Sequence, residues 1–380
     1  MSLTRLQFVL LVAAAINVGL TAAFFAIVVA GADGLLINAY SPLGGDFINM
    51  FAAARMVLGG HAGQVYIPDA FMAFEHTIID AYIGLRLWAY PPHSLLMVWP
   101  LGFMNYGVAL AAWSAIGLVV LGYGARRFGF SAIETAMLVC SPAAMQSVYY
   151  GQTGNMAAGL MLAALAASTA RPAGNAISAA ILTIKPQTGF LLPVLWLVER
   201  RWLLIGATSA LVAALLVATL AVFGPGVFAA YIGDTLPALG TLERQGHGAF
   251  MLMIPTVFMS ARILGASGAA ALGLHAVFAL AIGALLVVRL LHERDGSRRA
   301  GLVLAATCVM TPYLHVYDLG LATAGAALLM RRHAGSGAAV RVAAGVVAAL
   351  VWLLPILTYF LNQFGVPVAP VILVALFLAL

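Results

Sequence analysis

Residues 6–30, LQFVLLVAAAINVGLTAAFFAIVVA, form the apolar run that decides the fold. A signal-peptide core has roughly 7–15 apolar residues, whereas a helix that crosses the hydrocarbon of a bilayer needs about 20. The run exceeds the first length and reaches the second. We therefore interpret residues 6–30 as an uncleaved first membrane span.

The composition extends this interpretation to the whole chain. Of 380 residues, 64% are hydrophobic and 8% are charged, and the mean hydropathy is +1.05. Soluble domains carry about 25% charged residues, so this chain has too little charge to cover a water-exposed surface. The sequence predicts an all-α polytopic integral membrane protein, because helices satisfy their own backbone hydrogen bonds in lipid. We expect a single domain, residues 1–380.

The basic residues indicate topology and give no sign of a nucleic-acid partner. The net charge is +6, but the arginines lie in turns between apolar runs and form no single patch. By the positive-inside rule, these turns and the N-terminus face the cytoplasm. The cytoplasmic markers are Arg5, Arg126–Arg127, Arg171, Arg200–Arg201, Arg289 to Arg299, Arg331–Arg332 and Arg341. Acidic residues assigned to the outer side are Asp33, Asp46, Asp69, Glu75, Asp80, Asp234, Glu243 and Asp318.

The apolar runs divide into clear spans and interrupted regions. Clear spans are expected at about residues 6–30, 105–125, 131–149, 154–170, 202–223, 268–290 and 338–360. Residues 173–198 are interrupted by Lys185-Pro186, and residues 300–330 by the stretch from Thr311 to Asp318. Each half has about 12 residues, too few for a ~30 Å core, so we predict two helical hairpins with polar tips toward the outer leaflet. With a short last helix within residues 366–380, about 11–12 membrane segments result.

Two long loops are expected outside the membrane, at residues 31–104 and 224–250. In the first, Phe47, Met50, Phe51, Ala54 and Leu58 recur at helical spacing after the turn Gly44-Gly45-Asp46. A second such helix opens at Pro68-Asp69, with Phe71, Phe74, Ile78 and Tyr82 on one face. Both patterns indicate amphipathic helices that lie on the bilayer. The second loop carries Asp234, Glu243, Arg244 and His247.

Several polar residues allow both a functional and a structural interpretation. Asp46 is a candidate catalytic acid or a helix N-cap. Lys185, inside a hairpin, is a candidate site residue because an intramembrane cation is costly, although it could reach a headgroup instead. His315 and Asp318 could form an oriented pair or a self-satisfied turn. The segments Tyr90-Pro91-Pro92-His93 and Gly151-Gln152-Thr153-Gly154-Asn155 are candidates too, but both are typical of structural turns and caps.

Together these segments resemble a known family. Gly45-Asp46, Tyr90-Pro91-Pro92, Gly151-Gln152-Thr153-Gly154-Asn155, Lys185-Pro186 and Arg200-Arg201-Trp202 follow one another in the order found in glycosyltransferase family 87. That family belongs to the GT-C class of integral membrane glycosyltransferases. The likeness covers about residues 40–330. Better-known members carry a Trp-Asp-His-His-like cluster near the late hairpin, where this chain has one histidine, His315, followed by Asp318.

The resemblance implies an inverting transfer from a polyprenyl-phosphate sugar to a lipid or glycan acceptor, with mannose as the typical sugar and another hexose or a pentose as the alternative. It implies a GT-C-type helical bundle at the outer face of a bacterial cytoplasmic membrane, with Asp46 as the general base. The departing phosphate needs cations. Lys185 is the first candidate, with Arg55, Arg86, Arg244 and Arg262 as further ones. Candidate substrate contacts are Trp88, Tyr90, His93, Gln152, Asn155, Tyr313, His315 and Asp318.

Two other functions fit parts of the pattern. Two broken helices that carry Lys185, His315 and Asp318 are typical of secondary transporters, although such proteins usually show inverted repeats. A lipid-binding scaffold without activity is the other alternative. No spacing indicates a metal site and no cofactor is expected, Cys140 and Cys308 are expected to pack in apolar runs, and the oligomeric state is left open.

Overall fold

The computed structural model describes residues 5–38, 40–81, 83–166, 172–246 and 248–380, with no side-chain description for residues 5–10. Tyr82, Arg171, His247 and the last part of the span expected at 154–170 therefore lie outside the described residues, as does the side chain of Arg5. The described part is mainly helical.

The α-helices, in chain order, are α1 (Arg5–Ala30), α2 (Phe47–Leu58), α3 (Pro68–Ile78), α4 (Leu95–Val98), α5 (Tyr106–Phe128), α6 (Ala132–Val139), α7 (Pro142–Tyr149), α8 (Gly154–Leu165), α9 (Pro172–Leu182), α10 (Pro186–Gly189), α11 (Leu192–Val198), α12 (Trp202–Phe223), α13 (Gly226–Ala230), α14 (Leu236–Gln245), α15 (Ala249–Leu252), α16 (Val257–Ile263), α17 (Gly268–His292), α18 (Gly296–Met310), α19 (Gly320–His333), α20 (Ala338–Gln363) and α21 (Ala369–Ala379). Short 3-10 helices occupy Ala62–Tyr66, Pro92–Ser94, Trp99–Phe103 and Val316–Asp318, and a π-helical turn occupies Tyr231–Thr235. Strands β1 (Leu36–Asn38) and β2 (Ser41–Pro42) form a small antiparallel pair in which Leu36 faces Pro42.

Among the described residues, five helices are long and apolar enough to cross a membrane: α1, α5, α12, α17 and α20. Their apolar side chains are largely exposed on the protein surface, as Leu203 of α12 (91% exposed) illustrates. A soluble protein would bury such residues against its own core. The exposed faces therefore support lipid as the surrounding solvent and confirm the prediction of an all-α polytopic membrane protein.

Both interrupted regions break where the sequence predicts. The first hairpin runs through α9, turns at Lys185 and continues in α10 and α11, so its second half is itself broken between Gly189 and Leu192. The second hairpin consists of α18 and α19, joined by an irregular tip at residues 311–319. Pro186 and Pro193 lie at the starts of α10 and α11, where a missing backbone N–H costs nothing.

Two expected spans differ from the structure. Residues 131–149 form two helices, α6 and α7, because Ser141 is extended (ψ 157°) ahead of Pro142 and its Oγ accepts a hydrogen bond from the N–H of Ala144. A residue before proline is pushed out of the helical region, which explains the break. Helix α8 ends at Leu165, since Ala166 is extended (ψ 131°), and is therefore shorter than the predicted span.

The expected surface helix at residues 47–58 forms, but its environment was predicted wrongly. Most residues of α2 are buried within the protein, including Phe47, Ile48 and Met50, so protein and not lipid covers its apolar side. Helix α3 is half-exposed and buries Phe71 and Glu75. Helix α2 is thus part of the core that supports the loop beginning at Gly44.

Helix α8 lies at the centre of the bundle, with all its residues buried. It packs closely on α5 through glycines: a Cβ at Gly124 would lie 1.9 Å from the carbonyl oxygen of Gly159. Small residues of this kind let membrane helices approach closely. A Cβ at Gly154, the first residue of α8, would lie 2.0 Å from the carbonyl oxygen of Tyr317. The start of α8 is therefore fixed against the tip of the second hairpin.

Candidate active site

A cavity of about 610 Å³ lies where the loop at residues 31–104 meets the tips of both hairpins. Eight of the residues proposed from the sequence line it: Asp46, Arg86, Tyr90, Gln152, Lys185, Tyr313, His315 and Asp318. Its apolar wall includes Leu239, Leu242 and Phe250 from the loop at residues 224–250, together with Met253 just after it. The cavity therefore combines a charged wall with an apolar wall, the form that an amphipathic ligand requires.

Asp46 enters the cavity from a glycine turn. Gly44 and Gly45 have φ of +74° and +53°, a region that side chains with a Cβ rarely adopt. Asp46 occupies the N-cap position of α2, but its side chain makes no capping hydrogen bond. Its side chain is 36% exposed. The carboxylate is thus directed to other partners, which the N-cap interpretation alone does not explain.

Those partners are one cation and one amide. Nη1 of Arg86 donates to Oδ1 of Asp46 at 2.6 Å, and Nε2 of Gln152 donates to Oδ2 at 2.7 Å. The hydroxyl of Tyr90 donates to Oε1 of Gln152 at 3.0 Å and lies 3.0 Å from Oγ1 of Thr153. Each carboxylate oxygen has further acceptor capacity. Asp46 is therefore held in one orientation while it remains able to accept another hydrogen bond.

The turn Gly151–Asn155 supports this arrangement from α7 and α8. Gly151 has φ +57°, and a Cβ there would lie 2.4 Å from the Cβ of Phe47. The hydroxyl of Ser147 donates to the carbonyl of Gln152 at 2.9 Å. The amide of Asn155 donates to the carbonyl of Ala144 at 3.0 Å, away from the cavity. The close fit of Gly151 places Gln152 beside the carboxylate of Asp46.

A second ion pair joins the tips of the two hairpins. Nζ of Lys185 donates to Oδ1 of Asp318 at 2.5 Å, with side-chain exposures of 7% and 2%. Nζ also lies 5.2 Å from the centre of the Tyr317 ring. Removing one member of a buried pair costs about 3–5 kcal/mol, because the other charge loses its partner. The pair therefore locks the two interrupted helices to one another at the edge of the cavity.

The aromatic residues of the late tip form a layered wall. The His315 and Tyr317 rings stack with centroids 5.0 Å apart and planes 3° apart. Tyr313 packs edge-on against Phe258, with centroids 5.0 Å apart. The side chain of Asp318 pairs with Lys185, and its other oxygen accepts from the backbone N–H of His315 at 3.4 Å. The alternative of a turn that satisfies itself is therefore only partly correct, because Asp318 also reaches across to the first hairpin.

The remaining predicted site residues do not line the cavity. Trp88 is 1% exposed and donates its indole N–H to the hydroxyl of Tyr66, so its ring has no open face for a sugar. His93 lies 3.1 Å from the hydroxyl of Thr183. Three of the arginines proposed to bind phosphate also lie outside the cavity lining. Arg55 donates to the carbonyl of Gly102, Arg262 donates to that of Gly246, and Arg244 packs beside Gly268.

The structure adds cavity residues that the sequence analysis did not select: Asn49, Tyr150, Gln187, Glu243 and Tyr317. Tyr150 and Tyr317 adjoin segments that were singled out, so their neighbours gave a usable signal. For Glu243 there was no sequence signal beyond its place in a loop predicted to be external. Burial raises its pKa to about 7, against the opposing charge of Arg244.

Glu75 is a buried acid behind the charged wall. It is 1% exposed, and burial raises its pKa to about 8, with Arg86 opposing the shift and Asp46 adding to it. Among the described residues, no group of three or more histidine, cysteine, aspartate or glutamate side chains is placed to hold a metal ion. Four of the charged groups at the cavity form two ion pairs, Arg86 with Asp46 and Lys185 with Asp318.

The arginines that mark the predicted cytoplasmic side lie at the helix ends opposite the cavity. Helix α19 begins just after Asp318 and ends among Arg331 and Arg332. Helix α18 begins beside Arg298 and ends one residue before Thr311. The charge pattern and the cavity therefore mark opposite ends of the same helices. Which end faces the cytoplasm stays a prediction from the positive-inside rule.

Comparison with known proteins gives one match. Residues 88–312 match glycosyltransferase family 87, which is more than half of the 380 residues. No curated protein and no solved structure matches the chain. The matched stretch contains Tyr90, Gln152 and Lys185 but begins after Asp46 and ends before His315. With several apolar helices of membrane-spanning length and a cavity lined by residues of that stretch, the chain belongs to glycosyltransferase family 87.

Proposed function

We propose that this glycosyltransferase moves a sugar, mannose or another hexose or pentose, from a polyprenyl-phosphate donor to a lipid or glycan acceptor. The observation that carries the proposal is the shared cavity. A carboxylate, Asp46, and two cations, Arg86 and Lys185, line it together with an apolar wall. A sugar phosphate on a prenyl chain needs a base, a phosphate-facing charge and an apolar surface at once. The family is one of glycosyltransferases, which favours sugar transfer over transport or scaffolding.

Asp46 is the proposed general base. The acceptor hydroxyl oxygen attacks the anomeric carbon, its proton passes to Asp46, and the bond between the anomeric carbon and the phosphate oxygen breaks with its electron pair on the phosphate. A base must lie within about 2.6–3.2 Å of the proton it takes. The partly exposed carboxylate and its hydrogen bonds to Arg86 and Gln152 support this role. Attack opposite the leaving group inverts the anomeric centre.

The leaving group explains the need for cations. Polyprenyl phosphate departs as a phosphate monoester anion, so no acid has to protonate it, and positive charge near its oxygens lowers the barrier. Arg86 and Lys185 line the cavity wall. These two side chains are proposed to supply the positive charge that stabilises the departing phosphate. Tyr90, Gln152, Tyr313 and His315 are proposed to contact the sugar.

The prenyl chain is proposed to lie along the apolar wall. Leu239 and Leu242 of α14, with Phe250 and Met253, supply this surface beside the charged groups. Helix α14 has no fully buried residue, so it leaves apolar side chains available to a lipid. Together with the distribution of arginines, this favours a site at the outer face of a bacterial cytoplasmic membrane, with the N-terminus inside.

A transfer assay tests the proposal. Purified protein in vesicles is incubated with radiolabelled polyprenyl-phosphate mannose and an extract of bacterial membrane glycolipids and glycans. A parallel reaction contains radiolabelled GDP-mannose in place of the lipid donor. We expect label to reach the acceptor fraction from the lipid donor only. Transfer from the nucleotide sugar alone would contradict the proposed donor class.

A further inference from the structure

The two ion pairs at the cavity differ strongly in exposure. The side chains of Arg86 and Asp46 are 15% and 36% exposed, whereas those of Lys185 and Asp318 are 7% and 2% exposed. Each cation already has a carboxylate partner at hydrogen-bond distance. A donor phosphate, which carries one negative charge as a diester, therefore has to compete with a carboxylate for any cation that it binds.

The difference in exposure determines which ion pair a ligand can separate. Separating Lys185 from Asp318 would leave a carboxylate that is almost fully buried without its partner, which is strongly unfavourable. The Arg86–Asp46 pair is only partly buried, and separating it leaves a carboxylate with access to water, so the cost is smaller than for the buried pair. Gln152 continues to donate to Oδ2 of Asp46 after such a separation. The Arg86 pair is therefore the one that a ligand can open.

The chain around Arg86 allows this change of partner. Residues 83–89 form neither helix nor strand, and Gly84 has φ +83° with no atom within 4 Å of an added Cβ. Arg86 is fixed locally by a hydrogen bond from Nε to the carbonyl of Ile83 at 3.1 Å. Its guanidinium fork can bind two phosphate oxygens at once, which a lysine ammonium does not do.

We propose that Arg86 exchanges Asp46 for the phosphate of the donor, so that Oδ1 of Asp46 loses its cationic partner and becomes a stronger base toward the acceptor hydroxyl once the donor has bound. The inference rests on the proposed donor class and deepens it by giving the two cations different roles. Arg86 binds the phosphate and controls the strength of Asp46 as a base. Lys185 remains with Asp318 and holds the hairpin tips together. The donor must then bind before the acceptor is activated.

Binding measurements without catalysis test the exchange. The probe is a radiolabelled short-chain polyprenyl phosphate that carries no sugar, measured against purified wild type, Asp46→Asn, Arg86→Gln and the double variant at pH 8. Asp46→Asn removes the competitor for Arg86, so we expect binding about tenfold tighter than wild type. Arg86→Gln should bind more weakly than wild type. In the Arg86→Gln background, Asp46→Asn should give no gain.

Glu243→Gln is the matched charge control. Glu243 lines the same cavity, and at pH 8 it is above its pKa of about 7, so its replacement removes a negative charge that does not pair with Arg86. If Arg86 exchanges partners, Glu243→Gln should increase the affinity for polyprenyl phosphate less than Asp46→Asn does. The exchange would be overturned if both variants increased the affinity equally, or if Asp46→Asn still increased it in the Arg86→Gln background. Absence of binding in every variant would overturn the donor class and the exchange together, whereas binding that Asp46→Asn leaves unchanged overturns the exchange alone.

Discussion

Replacing Lys185 with methionine should destabilise the protein more than any loss of a surface charge. Methionine keeps the apolar stem but leaves the Asp318 carboxylate, which is 2% exposed, without a cation. Removing one member of a buried pair costs about 3–5 kcal/mol, whereas replacing both members with apolar residues is often neutral. We therefore expect Lys185→Met to lower the free energy of unfolding by about 3–5 kcal/mol, and the double variant with Asp318→Leu to recover most of it.

Unfolding in mixed micelles, followed by circular dichroism as the denaturing detergent is increased, measures this free energy. Arg298→Met is the matched control, since Arg298 pairs with Glu293 at 3.5 Å with exposures of 44% and 22%. Exposed pairs contribute about 0–1 kcal/mol, so the control should change little. A Lys185→Met variant as stable as this control, or a double variant as unstable as the single one, would refute the role of the pair as a lock between the hairpins.

Three further predictions concern the supports of the site. Gly154→Ala should greatly reduce the yield of folded protein, because its Cβ would lie 2.0 Å from the carbonyl oxygen of Tyr317. Gly273→Ala is the control and should fold normally, because no atom lies within 4 Å of an added Cβ there. Equal yields of the two variants on size-exclusion chromatography would contradict this prediction. Gln152→Leu removes a hydrogen bond to the Asp46 carboxylate and should lower the initial rate of transfer about tenfold or more, and an unchanged rate would show that the amide does not orient the base. Burial raises the pKa of Glu75 to about 8, with Asp46 adding to and Arg86 opposing the shift. A raised pKa gives stability that is fully present below the ordinary pKa of 4.5 and is lost as the pH rises through about 8. Between pH 4.5 and 8.5, the free energy of unfolding of Glu75→Gln should therefore fall less with rising pH than that of wild type. The same pH dependence in both proteins would contradict a neutral buried acid at this position.

The sequence predicts most of the fold because membrane solvation imposes length and polarity limits on each segment. Lys185-Pro186 and the stretch from Thr311 to Asp318 mark both hairpin breaks, since polar groups and prolines interrupt apolar runs too short to span. The break at Ser141-Pro142 was missed because hydropathy averaged over residues 131–149 hides a single proline. The burial of α2 could not be predicted, because an apolar face looks the same whether lipid or protein covers it.

The site was predictable only in part, for a physical reason. Asp46, Lys185 and Asp318 stand out as charged groups in apolar or loop contexts, and all three line the cavity. Their pairing depends on contacts across the fold: Arg86 lies 40 residues from Asp46, and Asp318 lies 133 residues from Lys185. Local spacing carries no information on such contacts. For the same reason Trp88, a reasonable interface residue by type, was not expected to be buried against Tyr66.

The proposed chemistry depends on the Asp46 carboxylate, and replacing it with asparagine tests it most directly. Asparagine keeps the shape and a hydrogen-bonding oxygen but cannot accept the acceptor's proton. In vesicles with radiolabelled polyprenyl-phosphate mannose, Asp46→Asn is compared with Asp69→Asn, which changes an exposed acid at the start of α3. We expect no measurable transfer from the first variant and wild-type transfer from the second. Near wild-type turnover by a folded Asp46→Asn protein would contradict the assignment of the base.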